Sequence, residues 1–363
     1  MKAVVLVGGE GTRLRPLTWS TPKPLLPIAN IAFLERQLAW LESYGVDEVV
    51  LSMGYLPDAF HRHFPEGRFG GVTLRYAVEE KPLGTAGGIR FAAEGITERF
   101  VVCNGDVLTG LDLAAMVEFH EARGAEASIY LCQVDDPSAF GVVPTRDDGE
   151  VVGFIEKPPR DQAPTNWINA GTYVLEPSVL DRIPPRINVS IEREVFPRMV
   201  EAPGALYAFH YDGYWLDIGT PEKYLQAHHD LLRGALPGTL APGAVERAPG
   251  VWTQGEVHID PTAVLEAPLL VGAGSVIGAG ARISDSVLGS GVRVEADSVV
   301  VRSVLFDGAT VGGGEVLDSV VGSGSTIGHG AGLSDVTIVG PGVTVDGGSR
   351  ISGGRVPADD PRG

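Results

Sequence analysis

Short β-branched runs alternate with helical periodicities over the first 230 residues. Lys2–Val7 (KAVVLV), Glu48–Ser52 (EVVLS) and Phe100–Cys103 (FVVC) are apolar, short and bounded by glycine or polar turns, which predicts buried strands. Between the first two, Phe33, Leu34, Gln37, Leu38 and Leu41 fall on one helical face and Gly45 supplies a stop. A second helix is expected over Leu113–Ala122, after the third strand. Alternation of this kind predicts an α/β domain with a mainly parallel sheet covered on both faces. Ligands of such sheets bind beyond the carboxyl ends of the strands, so chemistry is to be sought just after each one.

The pattern then changes. Residues 236–257 are rich in Pro, Gly and Ala without a sustained period, as in a linker or docking segment. Beyond them Val271–Ile277 (VGAGSVI), Leu288–Val294 (LGSGVRV), Leu305–Val311 (LFDGATV), Val321–Ile327 (VGSGSTI) and Val339–Val345 (VGPGVTV) repeat one motif, stepping by 17, 17, 16 and 18 residues. One aliphatic residue about every six, followed by a glycine able to take positive φ, suits a triangular coil with one inward residue per face. Residues 258–354 thus resemble the hexapeptide-repeat left-handed parallel β-helix, and 355–363 are expected to be a flexible tail. Glycine divides accordingly: 23 of 49 lie in residues 251–363 and 26 in 1–250.

Charge sharpens the search. The 28 Lys and Arg against 46 Asp and Glu leave a net charge of −18, unsuited to coating nucleic acid or an anionic membrane. Phosphate binding would need a few local cations, and only Lys2, Lys23, Lys81, Lys157 and Lys223 are lysines. Two cysteines, Cys103 and Cys132, make neither a disulfide framework nor a zinc site. With no signal peptide or apolar run long enough to span a bilayer, the expected compartment is the cytoplasm.

The first strand ends in Gly8-Gly9-Glu10-Gly11-Thr12-Arg13, where glycines let main-chain N–H groups wrap a phosphate and Arg13 adds a charged fork. The GxxxxGK[ST] loop of ATPases is absent, as is the GxGxxG of dinucleotide enzymes. The third strand ends in Asn104-Gly105-Asp106, a carboxylate placed to hold a hard cation against a triphosphate. From Gly8 through Thr21-Pro22-Lys23-Pro24-Leu25-Leu26-Pro27-Ile28 the chain resembles the signature GGxGTRLxPLT…PKPLxPI of sugar-1-phosphate nucleotidylyltransferases. It departs from the common pattern at Asn30-Ile31-Ala32, where a Gly and then a Pro are usual.

That resemblance implies a Rossmann-like catalytic domain over 1–235, with Gly8, Gly9, Gly11 and Thr12 wrapping the phosphates and Arg13 and Lys23 binding the triphosphate. It implies Mg²⁺ held by Asp106 of the NGD motif and by Asp217 of Tyr214-Trp215-Leu216-Asp217. Glu156-Lys157-Pro158 matches an EKP motif whose lysine contacts the sugar phosphate, Asn169-Ala170-Gly171 an NAG motif that meets sugar hydroxyls, and Gly141 joins the substrate-binding set. The nucleobase falls to Glu79 and to the loop with Pro82, Gly84 and Thr85. Glu79 stands where thymidylyl- and uridylyltransferases carry Gln. Guanine offers adjacent N1–H and N2 donors to an acceptor-only carboxylate, whereas uracil and thymine flank one N–H with carbonyls.

Ser190–Pro197 and Gly213–Pro221 are typical of the mannose-1-phosphate guanylyltransferase branch, so GTP and a sugar 1-phosphate are the expected substrates. The acceptor stays open among mannose, glucose, heptose and cyclitol phosphates such as valienol 1-phosphate, as do dTTP and UTP. A non-catalytic regulatory homologue and a bifunctional acyltransferase using His329 are further alternatives. His61 and His63 are expected in a loop, and no histidine has zinc spacing. The β-helix is expected to join copies into a homo-oligomer.

Overall fold

The computed structural model describes residues 1–236, 238 and 240–360. Seven principal strands build the first of two compact units, Met1–Gly9 with Leu34–Trp215. They are β1 (Lys2–Leu6), β2 (Glu48–Met53), β3 (Val72–Val78), β4 (Phe100–Asn104), β5 (Ala127–Gln133), β6 (Trp167–Leu175) and β7 (Leu206–His210). The order β4-β1-β2-β3 is parallel, with Lys2 level with both Glu48 and Phe100. β6 then runs antiparallel to β4 and to β5, and β7 joins β5 in parallel. The sheet is therefore mixed though mostly parallel.

Its strands read as continuous apolar runs because both faces are covered. Val4, Val50, Phe100, Val102, Ile129, Leu131 and Tyr173 are buried in one core with Phe196 and Ile89. At about 1.5–3 kcal/mol per large apolar side chain, this layer is what makes the strand ends fixed points. The expected helices form at Phe33–Ser43, with Gly45 at φ 77°, and at Leu113–Arg123. The second is capped by Asp112, which accepts from Ala115 N at 3.0 Å, and stopped by Gly124 at φ 58°. His61 and His63 lie on a short helix, Pro57–His63, rather than in a loop. His61 packs on Tyr76 and His63 bonds Glu35 at 2.8 Å.

The second unit is Glu10–Phe33 with Leu216–Gly363. Its all-parallel coil stacks Val276, Arg293, Thr310, Thr326 and Thr344 in one register column, with the spacing of the repeat. Ile277, Leu288, Val294, Val311, Val321 and Ile327 fill the interior. Buried serines turn the corners at no loss of hydrogen bonding: Ser303 Oγ accepts from Ser319 N, and Ser286 Oγ from Ser303 N, each at 3.1 Å.

Within residues 236–257 lies a hairpin, Ala244–Ala248 with Val251–Gln254, whose second strand pairs with Leu269–Val271. Pro237 and Thr239 of that segment lie outside the described residues. Of the expected tail, Arg355–Val356 is a strand paired in parallel with Ile338–Val339, and residues 361–363 lie outside the described residues. The compact units also depart from a division at residue 235. Glu10–Phe33 groups with the β-helix, because Tyr224 bonds Pro27 O, His228 Nδ1 bonds Ala29 N at 3.2 Å, and Gly340 lies against Pro16.

Candidate active site

In the first unit Gly8, Gly9, Glu79, Asn104, Gly105 and Asp106 stand at or just past the ends of parallel strands, whereas Gly141, Glu156, Asn169 and Gly171 lie on antiparallel ones. Gly105 follows β4 and donates to Leu6 O at 2.9 Å. A Cβ there would stand 2.6 Å from that oxygen, so only glycine allows the two strand ends to lie together. Gly171, at φ 77°, likewise leaves space for the Asn104 amide, 2.6 Å from its missing Cβ, and donates to Asn169 Oδ1 at 3.1 Å. The NGD and NAG motifs are thereby neighbours, with Asp106 next in the chain and half-buried. Gly8 and Gly9 close β1 exposed, and Gly9 has open space where a Cβ would be.

Past β3, Glu79 is held by its own chain. Ser52 Oγ donates to one carboxylate oxygen at 3.0 Å and Leu83 N to the other at 2.8 Å. Each oxygen keeps a lone pair for another donor. Pro82 O accepts from Asn188 Nδ2 at 3.0 Å, and Gly84, at φ 70°, lies so close to Val189 O that a Cβ would be 2.6 Å away. The nucleobase loop is thus pinned against residues 188–192.

Gly141 and Glu156 are opposite partners in an antiparallel ladder, and a Cβ on Gly141 would strike the Phe154 ring. Lys157 follows at φ 48°, a left-handed conformation uncommon for a side chain of its kind. Its main-chain N donates to Phe140 O at 2.9 Å, and its ammonium lies 3.7 Å from Glu156 Oε1 with the side chain 57% exposed. Backbone strain of this type concentrates at functional positions.

Glu192 was missed by sequence reasoning. It sits in a π-helical turn, Ile191–Val195, and accepts from Thr85 Oγ1 at 2.7 Å, Ser190 Oγ at 2.8 Å and Tyr173 OH at 3.4 Å. Tyr173 in turn accepts from Asn169 Nδ2 at 2.9 Å. One carboxylate therefore links the loop assigned to the base with the motif assigned to the sugar. Burial, and then the charge of Glu192, push the Tyr173 hydroxyl well above its ordinary value, so it remains a donor. The signal in the sequence was the Ser190-Ile191-Glu192 run, which reads equally well as a helix start.

The second unit carries Gly11, Thr12, Arg13, Lys23 and Asp217. Gly11 takes φ 61°, and a Cβ would meet Thr18 Cγ2 and Lys23 Cβ at 3.0 Å; Thr18 Oγ1 donates to Gly11 O at 2.8 Å. The segment thus folds back so that Lys23 lies beside its glycine turn. Thr12 and Arg13 are exposed. Arg13 and Asp217 converge over Gly219, whose absent Cβ would stand 3.0 Å from Arg13 Nη2 and 3.1 Å from Asp217 Oδ1. Lys223 lies 3.7 Å from the other Asp217 oxygen, held by Thr220, which caps helix Pro221–Leu232. Neither Gly219 nor Lys223 stood out in the sequence as a site residue.

The nucleotidyl transferase family matches residues 2–234, and a GlmU-like C-terminal hexapeptide family matches residues 265–331. The chain belongs to the nucleotidyl transferase family. It is 43% identical over 302 residues to the mannose-1-phosphate guanylyltransferase of Mycobacterium tuberculosis, covering 83% of each chain. Mannose-1-phosphate guanylyltransferase 1 of Arabidopsis thaliana is 39% identical, over 98% of this chain and 95% of that one. Among solved structures, HddC from Yersinia pseudotuberculosis superposes with a TM-score of 0.55 at 30% identity, over 63% of this chain and 98% of that chain. The same protein is also known complexed with GMP-PN, with a TM-score of 0.54.

Membership makes this nucleotidyltransferase a sugar-1-phosphate enzyme, with a nucleotide and a sugar phosphate as substrates. Among the described residues no cluster of three or more His, Cys, Asp or Glu could hold a metal ion alone. Mg²⁺ is a hard ion that commonly takes one or two protein oxygens and completes its shell with water and substrate phosphates. The carboxylate of Asp106 in the first unit and that of Asp217 in the second therefore each have the chemistry of a ligand to it. His329, the acyltransferase candidate, is tied to the coil: its Nδ1 bonds Gly312 O at 3.0 Å. Both cysteines are free and buried, and burial pushes each thiol up to about 12. No helix among the described residues is long and apolar enough to cross a membrane.

Proposed function

We propose that this enzyme transfers guanylyl from GTP to mannose 1-phosphate, giving GDP-mannose and pyrophosphate. The observation that carries the reading is likeness to mannose-1-phosphate guanylyltransferases along nearly the whole chain, β-helix included. A phosphate oxygen of the sugar phosphate attacks the α-phosphorus in line and pyrophosphate departs opposite, so no protein nucleophile is required. Catalysis then rests on positioning and charge neutralisation.

Each residue's part follows from its chemistry. Gly8, Gly9, Gly11 and Thr12 offer small or hydroxylated turns to the phosphates, while Arg13 and Lys23 neutralise the departing pyrophosphate. Lys157, fixed at its main chain and with its ammonium exposed beside Glu156, orients the attacking phosphate. Asn104, Glu156, Asn169 and Gly171, with Gly141 beside them, meet the sugar hydroxyls. Glu79 accepts from guanine N1–H and N2 with the lone pairs that Ser52 and Leu83 leave, and the loop with Pro82, Gly84 and Thr85 meets the base. Asp106 and Asp217 would hold Mg²⁺, which supplies charge neutralisation at the phosphates.

The test is pyrophosphate release from GTP, dTTP, UTP and ATP against mannose 1-phosphate and glucose 1-phosphate. GTP with mannose 1-phosphate is expected to have the highest kcat/KM. A higher value for any other pair replaces the assigned substrates.

A further inference from the structure

The segment bearing Arg13 and Lys23 is gripped at both ends by the β-helix of its own unit. At one end Arg355 Nη2 donates to the main-chain oxygen of Arg13 at 2.7 Å. Arg355 is exposed and stands on the strand that closes the coil, Arg355–Val356. Close by, Gly340 donates to Val356 O at 2.7 Å, and its missing Cβ would be 3.0 Å from Pro16 Cγ. At the other end Ala29 and Asn30, at φ 46° and 61°, turn the hairpin of Pro27–Ile28 with Ile31–Ala32. The Asn30 amide donates from that turn to Leu288 O and Gln254 Oε1, both at 2.9 Å.

The grip falls on main chain at the residue whose side chain matters. Arg13 is exposed, and the reach of its guanidinium depends on where its Cα is anchored. The coil does not need the Arg355 guanidinium for its own ladder, since Arg355 and Val356 pair with Ile338 and Val339 through the backbone. Residues 358–360 line, with Thr12, Arg13 and Arg15, a cavity of about 430 Å³, so the chain end keeps following this segment past Arg355.

We propose that Arg355 is a positioning residue for the nucleotide: by holding the Arg13 carbonyl, the last turn of the β-helix aims the Arg13 guanidinium at the triphosphate. The proposal rests on the reading of Arg13 as a phosphate-binding residue. It gives the C-terminal coil a part in the phosphate chemistry, beyond the assembly role expected from the sequence.

The test uses the full-length protein, with GTP affinity by calorimetry beside steady-state kinetics in both directions. Arg355→Ala is expected to raise Kd and KM for GTP, and KM for pyrophosphate in reverse, by about 10-fold, since small displacements of a charged group carry costs of that order. KM for the sugar phosphate stays within about 2-fold, and Arg355→Lys, which keeps one charged donor, recovers part of the loss. Gly340→Ala presses on Pro16 from the coil side and is expected to show the same nucleotide-selective defect. Wild-type GTP affinity in both variants overturns the proposal. So does an equal loss for both substrates that follows the fall in Tm, the mark of a merely structural contact. Arg13→Ala separates the two readings: GTP affinity unchanged there refutes the role of Arg13, whereas a defect there with Arg355→Ala and Gly340→Ala as wild type refutes only the clasp.

Discussion

Gly219→Ala tests the convergence of Arg13 and Asp217 with a single methyl group. Gly219 is buried between the strand that ends at Asp217 and the Thr220 cap, and its backbone is one that alanine also adopts. The new Cβ would lie 3.0 and 3.1 Å from the two Arg13 terminal nitrogens and 3.1 Å from Asp217 Oδ1. Comfortable contact needs roughly 3.5 Å, so each charged group must retreat by about half an ångström. For stability this is cheap: a side chain pushed off its rotamer costs about 0.5–1.5 kcal/mol, and replacing glycine returns about 0.4–1 kcal/mol through the unfolded chain. Catalysis is less forgiving, because a misplacement of about 1 Å in a positioning group costs on the order of 100-fold. Gly219→Ala is therefore expected to lower kcat/KM about 10- to 100-fold with Tm within a few degrees of wild type. Pyrophosphate release and a thermal melt on one preparation measure both. Activity within about 3-fold of wild type, or a loss no greater than the fall in Tm explains, would refute the idea that these two groups act together.

Asp106→Ala and Asp217→Ala should each abolish turnover across a Mg²⁺ titration; near-wild-type rates in either remove that carboxylate from the metal assignment. Glu79→Gln should shift base preference toward UTP and dTTP, and unchanged GTP selectivity would end the carboxylate argument. The amide also gives up an acceptor for Ser52 or Leu83, worth about 1 kcal/mol. Folding stability should fall as pH drops below about 6.5, because burial lowers His120, His210 and His229 from the ordinary histidine value of 6.5. In that range the unfolded chain takes up protons that the folded chain refuses, and above it these groups contribute no slope. Glu176, lowered from 4.5 chiefly by its hydrogen bonds to Arg99 and His120 against an opposing desolvation, extends the loss further into acid. A Tm that is level from about pH 7.5 to 5.5, or a slope unchanged in His120→Gln, contradicts this. Native protein should resist thiol reagents at mildly alkaline pH and release two reactive thiols on denaturation, given Cys103 and Cys132 pushed up to about 12; labelling of the folded state would contradict their burial.

What could be read in advance was what short range decides. A run of valines ended by a glycine or polar turn is a strand, and the structure sets Gly8 and Asn104 at the ends of two such strands. The strand that precedes Glu79, Val72–Val78, was not foreseen because its alternating polar residues break the apolar run. The step of the glycine repeat is one turn of coil, so the register column from Val276 to Thr344 was legible before any fold was seen. What stayed hidden depends on partners far along the chain. Asn30 looked like a neutral departure from a family pattern; in place it is the residue type, after glycine, best suited to positive φ, and its amide binds a carbonyl 258 positions later. Lys157 carried its motif in the sequence but not its φ of 48°, which it adopts where its main-chain N donates to Phe140 O, 17 positions earlier.

Glycine at 219 shows the same gap from the other side. A conformational reading of that residue finds nothing, since its φ is ordinary, and its meaning lies wholly in the two charged groups that crowd the place of its missing side chain. Local chemistry thus names the groups that can react, while the residues that aim them are visible only once distant segments meet. Variants at Gly219, Gly340 and Arg355 accordingly probe more than variants at Arg13 or Asp217. Removing a charged group tests whether it is needed; moving it by half an ångström tests whether its position is what the fold was built to supply.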